Sequence, residues 1–181
     1  MNFDFAAMHE VGHAVDEAER IMADQPPGQI AGWQKHTRDQ VAAKAATHFD
    51  YNLQFVKDTL SSPSSTPPTV IPPPERSITP TQWVKNREAV VNWCQSVRVG
   101  MSLWNNPALS KHVAIGDRVY QEAYDGDWVS YLLAARSKGI TSYQFRSSAE
   151  WFAELYAAYF SGKLKKTHPY AEWLKPLKKI A

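Results

Sequence analysis

Residues 4–23 have the sequence DFAAMHEVGHAVDEAERIMA, which predicts one amphipathic helix. Its apolar side chains recur at intervals of three or four residues, the period of one helical face. They are Phe5, Met8, Val11, Val15, Ala18 and Met22. Asn2 or Asp4 can cap the start of the helix, and the Pro-Pro-Gly run at 26–28 prevents its continuation.

The same stretch contains His9-Glu10-Val11-Gly12-His13, which is the H-E-x-x-H motif of zinc hydrolases. Residues four apart lie on one face of a helix, about 6 Å apart along its axis. Two imidazoles at that spacing can bind a single Zn²⁺ at roughly 2.0–2.1 Å. Glu10 then lies beside the metal, where it can accept a proton from water. The motif therefore predicts a zinc site with a general base next to it.

The composition excludes several classes of protein. The 181 residues are enough for one domain with a buried core, so we expect residues 1–181 to form a single domain. A net charge of +2 with dispersed basic residues argues against a nucleic-acid partner. The single cysteine, Cys94, excludes an internal disulfide and lies in an apolar run that predicts burial.

The sequence also shows no membrane-spanning or export signal. No apolar run approaches the ~18 residues of a membrane span. The first residues lack the basic segment and apolar stretch of a signal peptide. Action outside the cell would therefore require a signal-peptide-independent route or a larger parent polypeptide.

Helices dominate the rest of the prediction. Residues 61–80 hold seven of the twelve prolines and predict an extended surface loop, with a proline-rich ligand for a partner domain as the alternative. Thr79, Pro80 and Gln82 predict a capped helix start after it. Residues 113–115 can form a short strand. The predicted helices span residues 30–60 with a break near 48–50, 79–104, 127–138, 148–161 and 170–180.

Two histidines do not complete a catalytic zinc site, which usually has three protein ligands and one open position. The other histidines are His36, His48, His112 and His168. Glu150 and Glu154 lie one turn apart among apolar residues, where an unpaired carboxylate is costly. Glu150 fits either a metal ligand or a capping box with Ser147. Glu154, or Asp16 on the first helix, could hold the second ring nitrogen of a metal-bound histidine.

A resemblance bears on this choice. The run His9–Asp16, HEVGHAVD, closely resembles the active-site helix of the anthrax lethal factor type of zinc metallopeptidase. Thr141-Ser142-Tyr143 resembles a second block of that family, and Glu150 comes seven residues after the tyrosine in AEWFAE. The family has H-E-x-G-H-A-V-D, T-S-Y and A-E-F-F-A-E in this order, and the joint order and spacing make the resemblance specific.

The resemblance implies a role for each residue. His9, His13 and Glu150 would bind the zinc, and Glu10 would be the general base. Tyr143 would lie across the metal, where its hydroxyl could stabilise the developing oxyanion or protonate the leaving amine.

The resemblance also implies a mainly α, zincin-like metallopeptidase domain with a large helical insertion and little β-sheet. The insertion occupies residues 14–149, far more than in the lethal factor. Zincins usually place a β-sheet before the active-site helix, and its edge strand pairs with the substrate. Only eight residues precede His9. Either the chain is the C-terminal piece of a larger protein, or the insertion supplies that edge.

The predicted function is therefore that of a zinc-dependent endopeptidase that cleaves a target protein, as a secreted toxin or effector. Its expected partners are a protein substrate and a delivery polypeptide or a neutralising immunity protein, with no nucleic acid, no membrane span and a monomeric state. Two alternatives remain open. One is a zinc-dependent amidase acting on cell-wall peptide, and the other is a non-catalytic adaptor stabilised by zinc.

Overall fold

The computed structural model describes residues 3–23, 30–61, 79–98 and 107–177. This part of the chain is mainly helical with one small sheet, as the sequence predicts. The helices are α1 Phe3–Glu19, α2 Arg38–His48, α3 Leu53–Ser61, α4 Pro80–Ser96, α5 Pro107–Val113, α6 Leu133–Arg136, α7 Ser148–Phe160 and α8 Ala171–Leu174. The strands are β1 Gln34–His36, β2 Ala114–Ile115, β3 Arg118–Glu122 and β4 Trp128–Leu132.

The four strands form an antiparallel sheet in the order β1-β4-β3-β2. The central strand β4 pairs with β1, where Trp128 lies opposite His36, and with β3, where Ser130 lies opposite Tyr120. Every one of these strands falls within residues 14–149. The insertion between the two sequence blocks therefore contributes a β-sheet to the fold.

The helix predicted for residues 127–138 is wrong, because its first half is β4 and only Leu133–Arg136 is helical. Trp128, Val129 and Tyr131 are aromatic or β-branched residues that suit a strand. The strand has neighbours on both edges, and four of its five residues are buried. A strand buried on both faces lacks the alternating pattern that would distinguish it from a buried helix.

The helix predicted for residues 30–60 is correct only in part. Residues 34–36 form the edge strand β1, and α2 begins after a capping box in which Thr37 and Gln40 bond reciprocally. The predicted break is confirmed, since α2 ends at His48 and α3 begins at Leu53. The missed signal is the Thr37-x-x-Gln40 box, which marks a helix start inside the predicted helix.

The predicted start of the next helix is confirmed. The Thr79 hydroxyl accepts a hydrogen bond from the Gln82 amide, and Pro80 is the first residue of α4. The Gln82 side chain donates to Asn86 instead of closing the box. The proline-rich loop lies almost wholly outside the described residues, as do residues 99–104 of the predicted helix. Cys94 is buried, as predicted.

The shorter predictions near the C-terminus have mixed outcomes. The strand expected at 113–115 forms as β2, whereas β3 was not foreseen. The helix at 148–161 is confirmed as α7, and the one at 170–180 is reduced to α8 within the described part. None of the described helices is long and apolar enough to cross a membrane.

The helices α1 and α7 pack against each other at very short range. A Cβ atom built on Gly12 of α1 would lie 2.9 Å from the Ala153 Cα and 3.2 Å from the Ala153 carbonyl oxygen on α7. The missing side chain therefore lets the two backbones approach more closely than any other residue would allow. α7 is buried continuously from Trp151 to Ala158, so it forms the centre of the helical core.

Candidate metal site

Helix α1 directs both motif histidines to one place. His9 and His13 are four residues apart, and their Nε2 atoms lie 3.1 Å from each other. The two rings are nearly perpendicular, with centroids 4.7 Å apart. Two Nε2 atoms at this separation can point their lone pairs at one common atom.

Glu150 on the first turn of α7 supplies a third donor. Its Oε2 lies 3.1 Å from His9 Nε2 and 3.4 Å from His13 Nε2. The three atoms form a nearly equilateral triangle. A tetrahedral cation with bonds near 2.0–2.1 Å keeps its ligand atoms about 3.3 Å apart. His9, His13 and Glu150 therefore form a group that could hold a metal ion.

The structure distinguishes the two interpretations that the sequence allowed for Glu150. The Ser147 hydroxyl accepts a hydrogen bond from the Glu150 amide, so Ser147 caps α7. The Glu150 carboxylate faces the histidines instead of completing a capping box. Its Oε2 is buried and has no hydrogen-bond donor of good geometry in the described part of the chain. A buried oxygen in that condition suits a metal ligand, because it is otherwise costly.

The histidines and carboxylates of the site shift the pKa values of one another. The Glu150 and Glu154 carboxylates, each 3.1 Å from a ring nitrogen of His9, raise the pKa of His9 to about 9, against the lowering effect of burial. Burial raises the pKa of Glu150, but His9, His13 and the Tyr143 hydroxyl outweigh burial and leave this pKa below its ordinary value. These carboxylates favour the protonated form of His9, and metal binding would release that proton, since histidine binds metals in its neutral form.

Glu154 lies behind His9, one turn further along α7. Its Oε1 is 3.1 Å from His9 Nδ1, and its Oε2 accepts a 2.7 Å hydrogen bond from the Thr141 hydroxyl. Nδ1 is the ring nitrogen that His9 does not turn towards His13 and Glu150. A carboxylate at this nitrogen fixes the orientation of a metal-binding imidazole and makes it a better donor.

Tyr143 stands at the exposed edge of the group. It begins the 3-10 turn Tyr143–Phe145, the residue is 40% exposed, and its ring centroid lies 5.9 Å from that of His9. The Arg146 guanidinium lies over the Tyr143 ring at 4.6 Å and over the Tyr124 ring at 4.4 Å. Because one planar cation contacts both rings, Arg146 helps to orient Tyr143 beside the histidines.

The two remaining acidic candidates on α1 have different surroundings. Glu10 is exposed to solvent, directly after His9 in the sequence. The Asp16 carboxylate accepts a 2.7 Å hydrogen bond from the Met22 amide and so closes the turn after α1. Burial raises the pKa of Asp16, while Met22 and the charge of His13 lower it. Asp16 therefore has a structural bond of its own, and burial leaves its pKa above the ordinary value.

The four other histidines lie elsewhere. His36 contacts Ser130 in the sheet, His48 packs against Phe49, and His168 contacts the carbonyl oxygen of Lys138. His112 is exposed near the end of α5.

Two residues of the sequence motifs shape the site in ways that the sequence did not predict. One is Gly12, whose small size permits the close contact between α1 and α7. The other is Thr141, whose hydroxyl bonds to Glu154. A glycine inside a helix costs about 1 kcal/mol relative to alanine, so its presence in α1 was a signal of close packing. No sequence signal pointed to the partner of Thr141, because that contact joins separate segments.

Comparisons of the chain with protein-family models, with curated proteins and with solved structures found no match. The chemistry of the site must therefore be argued from its own residues.

Proposed function

We propose that the protein is a zinc-dependent endopeptidase with a zincin-like active site. The observation that carries the proposal is the donor triangle of His9, His13 and Glu150, with Glu10 between the histidines in sequence. Two imidazoles and one carboxylate are a common donor set for a catalytic zinc and leave its fourth position open. A purely structural zinc is usually enclosed by four protein ligands, whereas this group has three among the described residues.

The residues have distinct roles in this proposal. Zinc, when bound, supplies Lewis acidity for the scissile carbonyl and lowers the pKa of a water ligand to roughly 7. Glu10 accepts the proton of the attacking water and returns it to the leaving nitrogen. Glu154 keeps His9 in the tautomer with Nε2 free for the metal.

Tyr143 has the second chemical role. Its hydroxyl is within hydrogen-bonding reach of Glu150 and its ring is beside His9. From there it can donate a hydrogen bond to the oxygen that gains charge as the carbonyl is attacked. Its exposure leaves room for a substrate on the same side.

The proposed setting is a toxin or effector that cleaves a protein in a target cell. This part rests on the resemblance to the lethal factor type of metallopeptidase and on no contact in the structure. It implies delivery into the target cell, and an immunity protein in the producing cell. We also propose that the protein acts as a monomer.

The test compares Glu10→Ala with Glu17→Ala, which removes another exposed glutamate of the same helix. Each purified protein is loaded with zinc, its metal content is measured, and it is incubated with a proteome-derived peptide library. Wild type and Glu17→Ala should cleave peptides. Glu10→Ala should bind one zinc per chain but lose about 10²–10⁴-fold in rate, the range for a general base.

Parallel incubation with purified peptidoglycan tests the cell-wall alternative. Release of peptidoglycan fragments without peptide cleavage would favour an amidase. Stoichiometric zinc with neither activity would favour the adaptor. Cleavage by Glu10→Ala at the wild-type rate would contradict the proposed role of Glu10.

A further inference from the structure

The two oxygens of the Glu154 carboxylate contact different parts of the molecule. Oε1 lies 3.1 Å from His9 Nδ1 on α1, and Oε2 accepts the 2.7 Å hydrogen bond from Thr141. The Glu154 side chain is only 9% exposed. Because water has little access, the partner of Oε2 has a strong influence on where Oε1 points.

The Thr141 hydroxyl has a second bond. It accepts from the Gln144 amide at 3.2 Å, which closes the turn that carries Tyr143. A hydroxyl has a single hydrogen, and the Gln144 amide already acts as a donor to its oxygen. The hydrogen of Thr141 is therefore directed at Glu154, and one hydroxyl joins the Tyr143 turn to the carboxylate behind His9.

We propose that Thr141 is a positioning residue for the metal site. Its hydroxyl holds Glu154 in the orientation that keeps Oε1 on His9 Nδ1, and in this way it sets the affinity of His9 for the metal. The inference deepens the proposed function, since it rests on the metal site described there. It adds a residue that acts through Glu154 instead of binding the metal itself.

The turn has other attachments that do not depend on this hydroxyl. The Gln144 side chain accepts from the Ile140 amide at 2.8 Å and donates to the Trp151 carbonyl at 3.2 Å. The Gln121 side chain donates to the Phe145 carbonyl at 2.6 Å. We therefore expect Thr141→Val, which has nearly the same shape, to fold with the turn in place.

The experiment measures metal binding and not catalysis. Zinc affinity is obtained by competition with a chromophoric chelator, and the visible absorption of the Co²⁺-substituted protein reports the ligand geometry. Thr141→Val should weaken zinc binding by about 10-fold, the lower end of the effect of removing an outer partner of a ligand. It should also change the cobalt spectrum, while Thr141→Ser should restore both.

Thr59→Val is the matched control. Thr59 is a buried threonine, and its hydroxyl donates to the Phe55 carbonyl at 2.7 Å within α3. This variant should lower stability without altering zinc affinity or the cobalt spectrum. A second comparison places Thr141→Val in a Glu154→Gln background, where it should cause little further loss, because the proposed effect passes through Glu154.

Three results would overturn the inference. They are wild-type affinity and spectrum for Thr141→Val, failure of Thr141→Ser to restore them, and the full 10-fold loss in the Glu154→Gln background. Each of these leaves the proposed peptidase intact, provided that wild type binds zinc and cleaves peptides and that Glu10→Ala does not cleave. A wild-type protein that binds no zinc would overturn both proposals.

Discussion

The interface between α1 and α7 and the four-stranded sheet both contain buried polar groups, but they satisfy them differently. In the sheet, Ser130 is fully buried and contacts His36 Nε2 at 2.7 Å and Arg118 Nε at 3.0 Å. At the helix interface, two imidazoles and a carboxylate oxygen converge on one point, and that oxygen lacks a good donor in the described part of the chain.

This difference indicates that one region supports the fold and the other carries the chemistry. Hydrogen-bonded polar groups such as those around Ser130 fasten neighbouring strands together and leave little affinity for a ligand. Converging donors with an unsatisfied oxygen are costly unless something binds between them. We therefore assign the chemical role to the helix interface and a supporting role to the sheet, and variants in both regions can test that division.

The largest effect is expected from Gly12→Val. Its Cβ would meet the Ala153 backbone at 2.9–3.2 Å, and a backbone contact cannot be relieved by rotating a side chain. Overpacking of this kind typically costs about 1–3 kcal/mol or more, so α1 should shift away from α7. We expect a lower free energy of unfolding in urea and a loss of zinc affinity, because His9 and His13 move away from Glu150.

Ala18→Leu is the control, since it adds volume to an exposed position of the same helix. It should change neither stability nor zinc affinity appreciably. Wild-type zinc affinity in Gly12→Val would contradict the view that close helix contact builds the site.

This helix pair is also the part that the sequence predicted best. The spacing of His9 and His13 lies within one helix, so local periodicity was enough to bring them together. Glu150 and Glu154 were likewise placed on one predicted helix. What spacing could not provide was the distance between the two helices, which depends on Gly12 meeting Ala153. The prediction that Glu150 joins the histidines came from the resemblance to the metallopeptidase family and not from a distance between the two helices.

The sheet was predicted poorly for a related physical reason. The partner of β4 at one edge is β1, and their paired residues Trp128 and His36 are far apart in the sequence. Strand pairing of this kind is set by tertiary contacts, and it produces no periodic pattern in the local sequence. Because β4 is also buried on both faces, its apolar run was compatible with a helix.

An intermediate effect is expected from Gln121→Leu, which cuts a link between the sheet and the Tyr143 turn. Gln121 is 1% exposed and donates to the Phe145 carbonyl at 2.6 Å. Leaving that carbonyl without a donor should cost about 1–3 kcal/mol of unfolding free energy. Peptide cleavage should fall as Tyr143 loses its support, while zinc affinity should stay near the wild-type value.

Gln82→Leu, an exposed glutamine on α4, provides the control for the change in side-chain chemistry. A loss of zinc affinity in Gln121→Leu as large as that in Gly12→Val would show that the sheet helps to hold the metal ligands. The division between the two regions would then be wrong.

The smallest effect concerns the pH dependence of the sheet. Burial, together with the charges of Arg118 and Lys44, lowers the pKa of His36 below its ordinary value of 6.5. As the pH falls through about 6.5, His36 is therefore protonated in the unfolded chain but not yet in the folded chain. Stability from this group is complete above that pH and declines as the pH falls towards the lowered folded-state pKa.

His36→Gln keeps a polar contact for Ser130 and cannot be protonated, so it should remove this part of the decline. The measurement is the difference in unfolding free energy between wild type and His36→Gln, taken from about pH 8 to about pH 5. Contributions from His9 and Glu150 cancel in that difference, because both proteins contain them. The exposed His112 makes His112→Gln the control. An equal change in both variants would refute the assignment to His36.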